Sequence, residues 1–234
     1  MNWLNNLFSN AEGETPLWGI VLSILVLVAI AAIIAAAVVL IVKALSKKSS
    51  GKEPTPSQWT ARQLVFGALC IAIAFALSFL KFFQMPQGGS ITPASMLPIM
   101  VFAYVYGTPK GLIAGLAYGL LQLLQDAYVV HWAQFALDYM LAFMALALSG
   151  LFRKSLLPGI LAAGLGRLFF AFLSGMIFFG QYAPPGQSPA LYSFIYNVTY
   201  IGPETVICFI VALVPGVRKT VESFKAAAVK MRER

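Results

Sequence analysis

Four ionisable residues lie within or at the ends of long apolar stretches of the sequence, namely Asp126, Asp138, Arg167 and Glu204. Ionisable groups are costly to place in an apolar environment, and they usually mark a ligand pathway, a binding site or a structural ion pair. Arg167 and Glu204 each lie about 13 or 14 residues from the outer ends of their predicted helices, which at a rise of about 1.5 Å per residue puts them at a similar depth. We therefore expect these two residues to form a salt bridge.

Asp138 differs from that pair because no Lys or Arg lies near it in the sequence. It is placed near the outer end of its predicted helix, and Tyr139 follows it directly. A carboxylate without a basic partner favours a positively charged ligand. Asp138 is therefore the residue that we expect to receive a cationic ligand.

The segment from Gly175 to Val206 is rich in aromatic residues and is interrupted by Pro and Gly. Tyr192, Tyr196 and Asn197 are spaced so that their side chains lie roughly on one face of a helix. Aromatic rings supply stacking surfaces, and Tyr and Asn supply hydrogen-bonding groups. This combination is what a pocket for a planar heteroaromatic ligand requires.

Motifs for common enzyme chemistry are missing from the sequence. It contains no Walker A phosphate loop, no HExxH zinc helix and no GxSxG elbow, and His131 is its one histidine. We predict no cofactor and no metal, and we expect any ATP hydrolysis to belong to a partner protein. An intramembrane enzyme that uses Asp126, Asp138 or Glu204 stays open as an alternative, as does a membrane scaffold. No two carboxylates have a recognisable catalytic spacing, so solute binding is favoured over catalysis.

The composition places these residues in a lipid bilayer. Of the 234 residues, 60% are hydrophobic and 10% are charged, and the mean hydropathy is +0.83. Such a chain has too little polar surface to coat a water-soluble globule. About 20 apolar residues cross the hydrocarbon core. Seven candidate spans, of which the third is short, cover residues 17–42, 60–82, 93–107, 110–127, 133–151, 157–180 and 190–214.

The positions of the basic residues predict the orientation of the chain. The formal net charge is +8, and the charged residues cluster between the apolar runs. With the N-terminus outside, every Lys and Arg except Lys81 and Arg167 lies on the cytoplasmic side, as the positive-inside rule requires. We therefore predict a multi-pass protein of the cell membrane with a cytoplasmic C-terminus. The basic residues are expected to face anionic lipid and not nucleic acid.

These observations predict four segments in an all-α integral membrane protein. Residues 1–43 form one extra transmembrane helix with its N-terminus outside, and residues 44–59, rich in Ser, Lys and Pro, form a cytoplasmic linker. Residues 60–216 form a six-helix membrane domain that binds the substrate. Residues 217–234 form a basic cytoplasmic tail.

Two predicted helices carry small residues at four-residue spacing, which lets helix backbones approach closely in lipid. One stripe consists of Ala68, Ala72 and Ala76, and the other consists of Gly111, Gly115 and Gly119. For the glycine stripe we favour packing inside the bundle. For the alanine stripe, internal packing and docking to a partner protein both remain open.

Several of these segments resemble one family of membrane proteins. They are MPQGGS at 85–90, LDY at 137–139, and SGMIFFGQYAPPG followed by LYSFIYNVTY within 174–200. Together they are similar to the thiamine-specific S-components, the substrate-binding subunits of energy-coupling-factor (ECF) vitamin transporters. The resemblance covers about residues 62–214, and the last stretch is its most distinctive part.

The resemblance implies a six-helix S-component bundle that binds thiamine near the extracellular face, under the loop after the first core helix. It also implies that the alanine stripe docks on a transmembrane coupling protein and that two ATPase subunits complete the transporter. The substrate-binding residues that it implies are Asp138, Tyr139, Gly175, Phe179, Tyr192 and Asn197.

The sequence departs from the family pattern at two places. Ala171 occupies the position of a pocket His, and the Trp that the family has in the loop over the pocket is not evident in MPQGGSIT. The ligand is therefore expected to be thiamine, a thiamine precursor or another cationic heteroaromatic vitamin.

Overall fold

The computed structural model describes residues 59–232. The extra helix predicted at residues 1–43 and the linker up to residue 58 lie outside the described residues. The described residues form seven helices, a short 3-10 helix at Gly180–Tyr182 and one small hairpin, and α4 joins consecutive α-, π- and 3-10-helical segments. Their bounds are α1 Ala61–Ser78, β1 Phe83–Gln84, β2 Ser90–Ile91, α2 Leu97–Tyr106, α3 Thr108–Asp126, α4 Trp132–Leu151, α5 Leu156–Phe178, α6 Pro189–Leu213 and α7 Pro215–Arg232. The predicted helical membrane fold is confirmed, and each of the six core helices overlaps its predicted span.

Local sequence signals explain where the long helices begin. Thr60 and Gln63 form a reciprocal capping box at the start of α1, in which each side chain accepts a hydrogen bond from the other residue's backbone N–H. Ser188 caps α6 by accepting from the backbone N–H of Leu191 at 3.2 Å, and Pro189 occupies the first helical position, where its missing N–H costs nothing.

Four described helices, α1, α4, α5 and α6, are long and apolar enough to cross a membrane. Helix α2 has only 10 residues, too few to span the hydrocarbon core. Most of its side chains are buried, and Ile99, Met100 and Phe102 have no exposed surface at all. The predicted span 93–107 is therefore a short buried helix preceded by a non-helical segment, residues 92–96.

The buried carboxylate of Glu204 accepts hydrogen bonds from two side chains of that non-helical segment. Its Oε1 accepts from the hydroxyl of Thr92 at 2.5 Å and from that of Ser95 at 2.7 Å. Its Oε2 lies 3.4 Å from Nη1 of Arg167. The salt bridge that the sequence predicted between Arg167 and Glu204 is confirmed, and it belongs to a larger network that joins α5, α6 and the entry to α2.

The glycine stripe packs inside the bundle, as predicted. A Cβ added to Gly119 would lie 1.8 Å from the carbonyl oxygen of Tyr139, and one added to Gly115 would lie 2.4 Å from that of Phe143. Helix α3 therefore lies directly against the backbone of α4. This close contact fixes the position of the α4 segment that carries Asp138 and Tyr139.

The alanine stripe lies on the exposed side of α1. Ala68, Ala72 and Ala76 are all exposed, whereas Gly67 and Ala74 on the opposite side are buried. Packing of the stripe inside the described bundle is therefore excluded, and docking to a partner remains the prediction for it.

The segment predicted as a basic tail forms a helix, α7, that packs on the bundle. Val221 is buried, and the Phe224 ring lies edge-on to Phe66 of α1 with ring centroids 4.9 Å apart. Glu222 accepts a hydrogen bond from the Tyr104 hydroxyl at 2.9 Å. Apolar residues on one face of α7, such as Val221 and Phe224, explain why this basic segment packs on the bundle.

We predict that Arg167 and Glu204 are energetically coupled. Glu204 is only 1% exposed, and removing one partner of a buried pair costs about 3–5 kcal/mol because an uncompensated charge remains. Arg167→Ala and Glu204→Ala should each lower the melting temperature in detergent more than the double substitution does. Lys154→Ala, at an exposed site, is the control and should change the melting temperature little. Additive effects of the two single substitutions would contradict the coupling.

Candidate functional site

A pocket opens at the end of the bundle where the β1–β2 hairpin lies. Polar and aromatic residues line this pocket together, as they do in sites for small organic ligands. The structure brings all the substrate-binding residues named from the sequence into its lining, namely Asp138, Tyr139, Gly175, Phe179, Tyr192 and Asn197. They come from α4, from α5 and its C-terminal end, and from α6.

Asp138 lies in a wide turn of α4. Residues Ala136–Leu141 form a π-helix, a distortion that often occurs at functional sites. The carboxylate accepts hydrogen bonds from Nε2 of Gln134 and from Oγ of Ser174, both at 2.7 Å and both at Oδ2. These donors are neutral, so they orient the carboxylate without neutralising its charge.

Two basic residues also line the pocket, Arg167 and Lys81. Arg167 is paired with Glu204 and lies over the ring of Phe143, 4.6 Å from its centroid. Lys81 has an interaction partner of its own. Among the described residues, the hydrogen-bond partners of Asp138 are the uncharged Gln134 and Ser174, and Arg167 acts on the carboxylate through space.

Aromatic rings form much of the pocket wall. Phe179 stacks on Tyr182 with ring centroids 6.2 Å apart and lies 5.8 Å from Tyr128. The hydroxyl groups of Tyr128 and Tyr182 are 3.1 Å apart. This hydrogen bond raises the pKa of Tyr128, which lies in the loop before α4.

Asn197 and Gly175 join α5 to α6 at the pocket wall. The Asn197 amide donates to the carbonyl oxygens of Ser193 at 2.9 Å and Ala171 at 3.2 Å, and its Oδ1 accepts from the Tyr200 hydroxyl at 2.9 Å. A Cβ added to Gly175 would lie 2.3 Å from Oγ of Ser193. Gly175 therefore allows α6 to approach, and the polar groups of Asn197 are already used in fixing the wall.

The hairpin after α1 closes over the pocket, and Tyr196 holds it there. The Tyr196 hydroxyl accepts from the backbone N–H of Gln87 at 3.0 Å and donates to the carbonyl oxygen of Gly88 at 2.8 Å. Gly89 has φ near +90°, and a Cβ on it would lie 2.8 Å from the Tyr200 ring. Only glycine fits at the tip of this hairpin.

Some residues of the site escaped the sequence analysis. Gln134 and Ser174 support Asp138, and the spacing of four between Gln134 and Asp138 on one helix was the available signal. Tyr196 was placed on the pocket face but not assigned the contact that it makes with the hairpin. Ala171, which the sequence analysis singled out as a departure from the expected pattern, lines the pocket and is buried.

The chain is similar to known thiamine transporters along most of its length. A family model described as "Thiamine transporter protein (Thia_YuaJ)" matches residues 64–223. Thiamine transporter ThiT of Bacillus subtilis is 33% identical over 168 residues, which are 64% of this chain and 87% of that protein. ThiT of Lacticaseibacillus paracasei is 28% identical over 154 residues, 56% of this chain and 74% of that protein.

The fold has a match among solved structures. The structure of ThiT from Listeria monocytogenes superposes with a TM-score of 0.62 at 26% identity, covering 69% of this chain and 96% of that one. The resemblance seen in the sequence motifs is confirmed by these comparisons. The matched segment, residues 64–223, includes every residue named above as lining the pocket, and the chain belongs to the thiamine transporter protein family.

Proposed function

We propose that this chain is the substrate-binding membrane subunit of an ECF-type vitamin importer and that its ligand is thiamine. The observation that carries the proposal is the pocket of a thiamine transporter family member, in which one carboxylate held by neutral donors faces an aromatic wall. Thiamine offers a planar aminopyrimidine and a positively charged thiazolium. The rings suit the aromatic residues, and the cation suits Asp138.

The absence of a side-chain donor or acceptor at Ala171 leaves part of the ligand recognition to other groups. Candidates in the same lining are Tyr192, Tyr139 and the hairpin residues Gln87 to Ser90. A thiamine precursor or another cationic heteroaromatic vitamin would use the same carboxylate and rings, so these ligands are the alternatives that binding measurements must separate.

Transport against a gradient requires an energy source that we assign to partner proteins. The chain carries no Walker A sequence, so two ATPase subunits and a transmembrane coupling protein would supply ATP hydrolysis and movement. The exposed stripe of Ala68, Ala72 and Ala76 on α1 offers a flat surface on which a partner helix can pack closely.

The proposed orientation places the pocket outside and helix α7 in the cytoplasm. Arg153 and Lys154 follow α4 at the end opposite the pocket, and α7 contacts Arg153 through Lys225. This arrangement follows the positive-inside rule.

Purified protein should bind thiamine in the absence of nucleotide and of partner subunits. The pocket residues all belong to this one chain, so isothermal titration should show saturable heat at about one ligand per chain. Thiamine, its phosphates, its pyrimidine and thiazole halves and other vitamins should be compared. A folded protein that binds none of the thiamine series would contradict the ligand assignment, and turnover of the ligand would indicate an enzyme instead.

Asp138→Asn should weaken a cationic ligand far more than a neutral one. The Asn oxygen can still accept from Gln134 and Ser174, so the shape is kept while the charge is lost. A charge-assisted hydrogen bond contributes about 1.5–3 kcal/mol, which corresponds to about ten- to a hundredfold in affinity. Thiamine and a neutral analogue with carbon in place of the quaternary nitrogen are the two ligands to titrate.

Asp138→Glu is the matched control for that experiment, because it keeps the charge and should keep the preference for the cation. Equal weakening of both ligands by Asp138→Asn would show that Asp138 maintains the pocket's structure and has no electrostatic role.

Ala72→Trp should abolish cellular uptake while leaving ligand binding by the isolated chain intact. A bulky side chain on the stripe prevents close approach of a partner helix. Ile73→Trp is the control, since Ile73 is also exposed on α1 but lies off the stripe, and it should retain uptake. Loss of ligand binding in Ala72→Trp would show that the substitution acts on the pocket.

A further inference from the structure

The segment that leads from α1 into the hairpin, residues 79–83, carries four large apolar side chains that point away from the pocket. Within the described part of the chain each of them is 51–70% exposed, and together we call them the hairpin-base surface: Phe79, Leu80, Phe82 and Phe83. The polar residues beside them, Lys81 and Gln84, line the pocket. A hairpin with one face in water shows the opposite arrangement, with its polar side chains on the outer face.

The backbone of this segment is hydrogen-bonded although it is not part of a long helix. The N–H groups of residues 79–82 each donate to a carbonyl oxygen of the chain, at 2.9–3.3 Å. Phe83 and Gln84 then pair with Ile91 and Ser90 of β2. A backbone N–H without a partner is costly in lipid, because no water is present to accept from it. The N–H groups of residues 79–82 therefore meet the condition for lying at membrane depth.

The length of α1 places the hairpin-base surface at the edge of the hydrocarbon core. Helix α1 has 18 residues, which at about 1.5 Å per residue make a helix of about 27 Å. The hydrocarbon core is about 30 Å thick, so a crossing that begins at Ala61 is completed only by residues that follow Ser78. Any tilt of α1 increases this shortfall. The exposed apolar side chains of α1, such as Leu69 and Ile73, are thus continued beyond the end of the helix.

We propose that the hairpin-base surface is embedded in the membrane leaflet at the pocket end of the bundle, in contact with lipid acyl chains. Lipid is the occupant that the continuity with α1 favours, and it removes four large apolar side chains from water. The hairpin over the pocket would then have two anchors, which are lipid at its base and the Tyr196 hydroxyl at its tip. This inference goes beyond the proposed function and holds whatever ligand the pocket binds.

Site-directed spin labelling of the purified full chain tests the proposal in vesicles of phosphatidylethanolamine and phosphatidylglycerol. Phe82→Cys and Phe83→Cys each place a nitroxide on the hairpin-base surface. Power saturation then measures collisions of the nitroxide with oxygen, which concentrates in lipid, and with a water-soluble nickel chelate. Both positions should show a ratio of oxygen to nickel collisions severalfold higher than a water-facing site does.

Two matched positions calibrate the measurement. Leu165→Cys lies on the exposed side of α5 near the middle of that helix and is the lipid-facing control. Gln181→Cys, at an exposed site just after α5, is the water-facing control at the pocket end. The native chain supplies the labelling background, since Cys70 and Cys208 are both buried.

Collision ratios at Phe82→Cys and Phe83→Cys equal to that at Gln181→Cys would overturn the proposal, because the surface would then face water. Few collisions with either reagent would also overturn it, because a second copy or another part of the chain would then cover the surface. A melting temperature in detergent close to that of the native chain shows that a labelled variant is folded. The two neighbouring positions are independent, so one folded variant is enough to decide the outcome.

Discussion

Glu204 accepts hydrogen bonds from Thr92 and Ser95 through one carboxylate oxygen and faces Arg167 through the other. Non-helical backbone at membrane depth is tolerated only where protein groups satisfy it or where it lines a cavity, and residues 92–96 are such a segment. The network lets the chain leave the hairpin and enter the short buried helix α2. It also holds Arg167 at the pocket with its charge balanced. The entry to α2 and the balanced charge of Arg167 both depend on this one carboxylate.

The pocket is built where helices approach more closely than side chains normally allow. Gly115 and Gly119 bring α3 against the carbonyl groups of the α4 segment that carries Asp138, and Gly175 brings α6 against α5. The side-chain amide of Asn197 is hydrogen-bonded to neighbouring residues of α5 and α6. These contacts hold the side chains of the wall in place in the ligand-free structure, and such preorganisation lowers the cost of ordering on binding.

Hydropathy predicted the helices well because the bilayer demands continuous apolar segments. Polar residues inside those segments, such as Asp138, Asn197 and the Arg167–Glu204 pair, were recognisable for the same reason. The sequence did not predict features of the structure that depend on contacts between residues far apart in the chain. Residues 93–96 belonged to the predicted span 93–107, yet they are non-helical, and the Thr92 and Ser95 hydroxyls donate to Glu204. The charged residues of α7 gave no sign that this helix packs on the bundle. The structure shows that packing through the contact of Phe224 with Phe66. The contact of Tyr196 with the hairpin joins residues more than a hundred positions apart, and no local pattern indicates it.

A structure of the purified chain with thiamine bound tests the central claim most directly, because it locates the ligand and does not depend on the partner subunits. We expect the ligand between the hairpin and helices α4, α5 and α6, with its rings against Phe179 and the neighbouring tyrosines and its thiazolium facing Asp138. A ligand bound elsewhere on the bundle, with this pocket occupied only by solvent, would contradict the account.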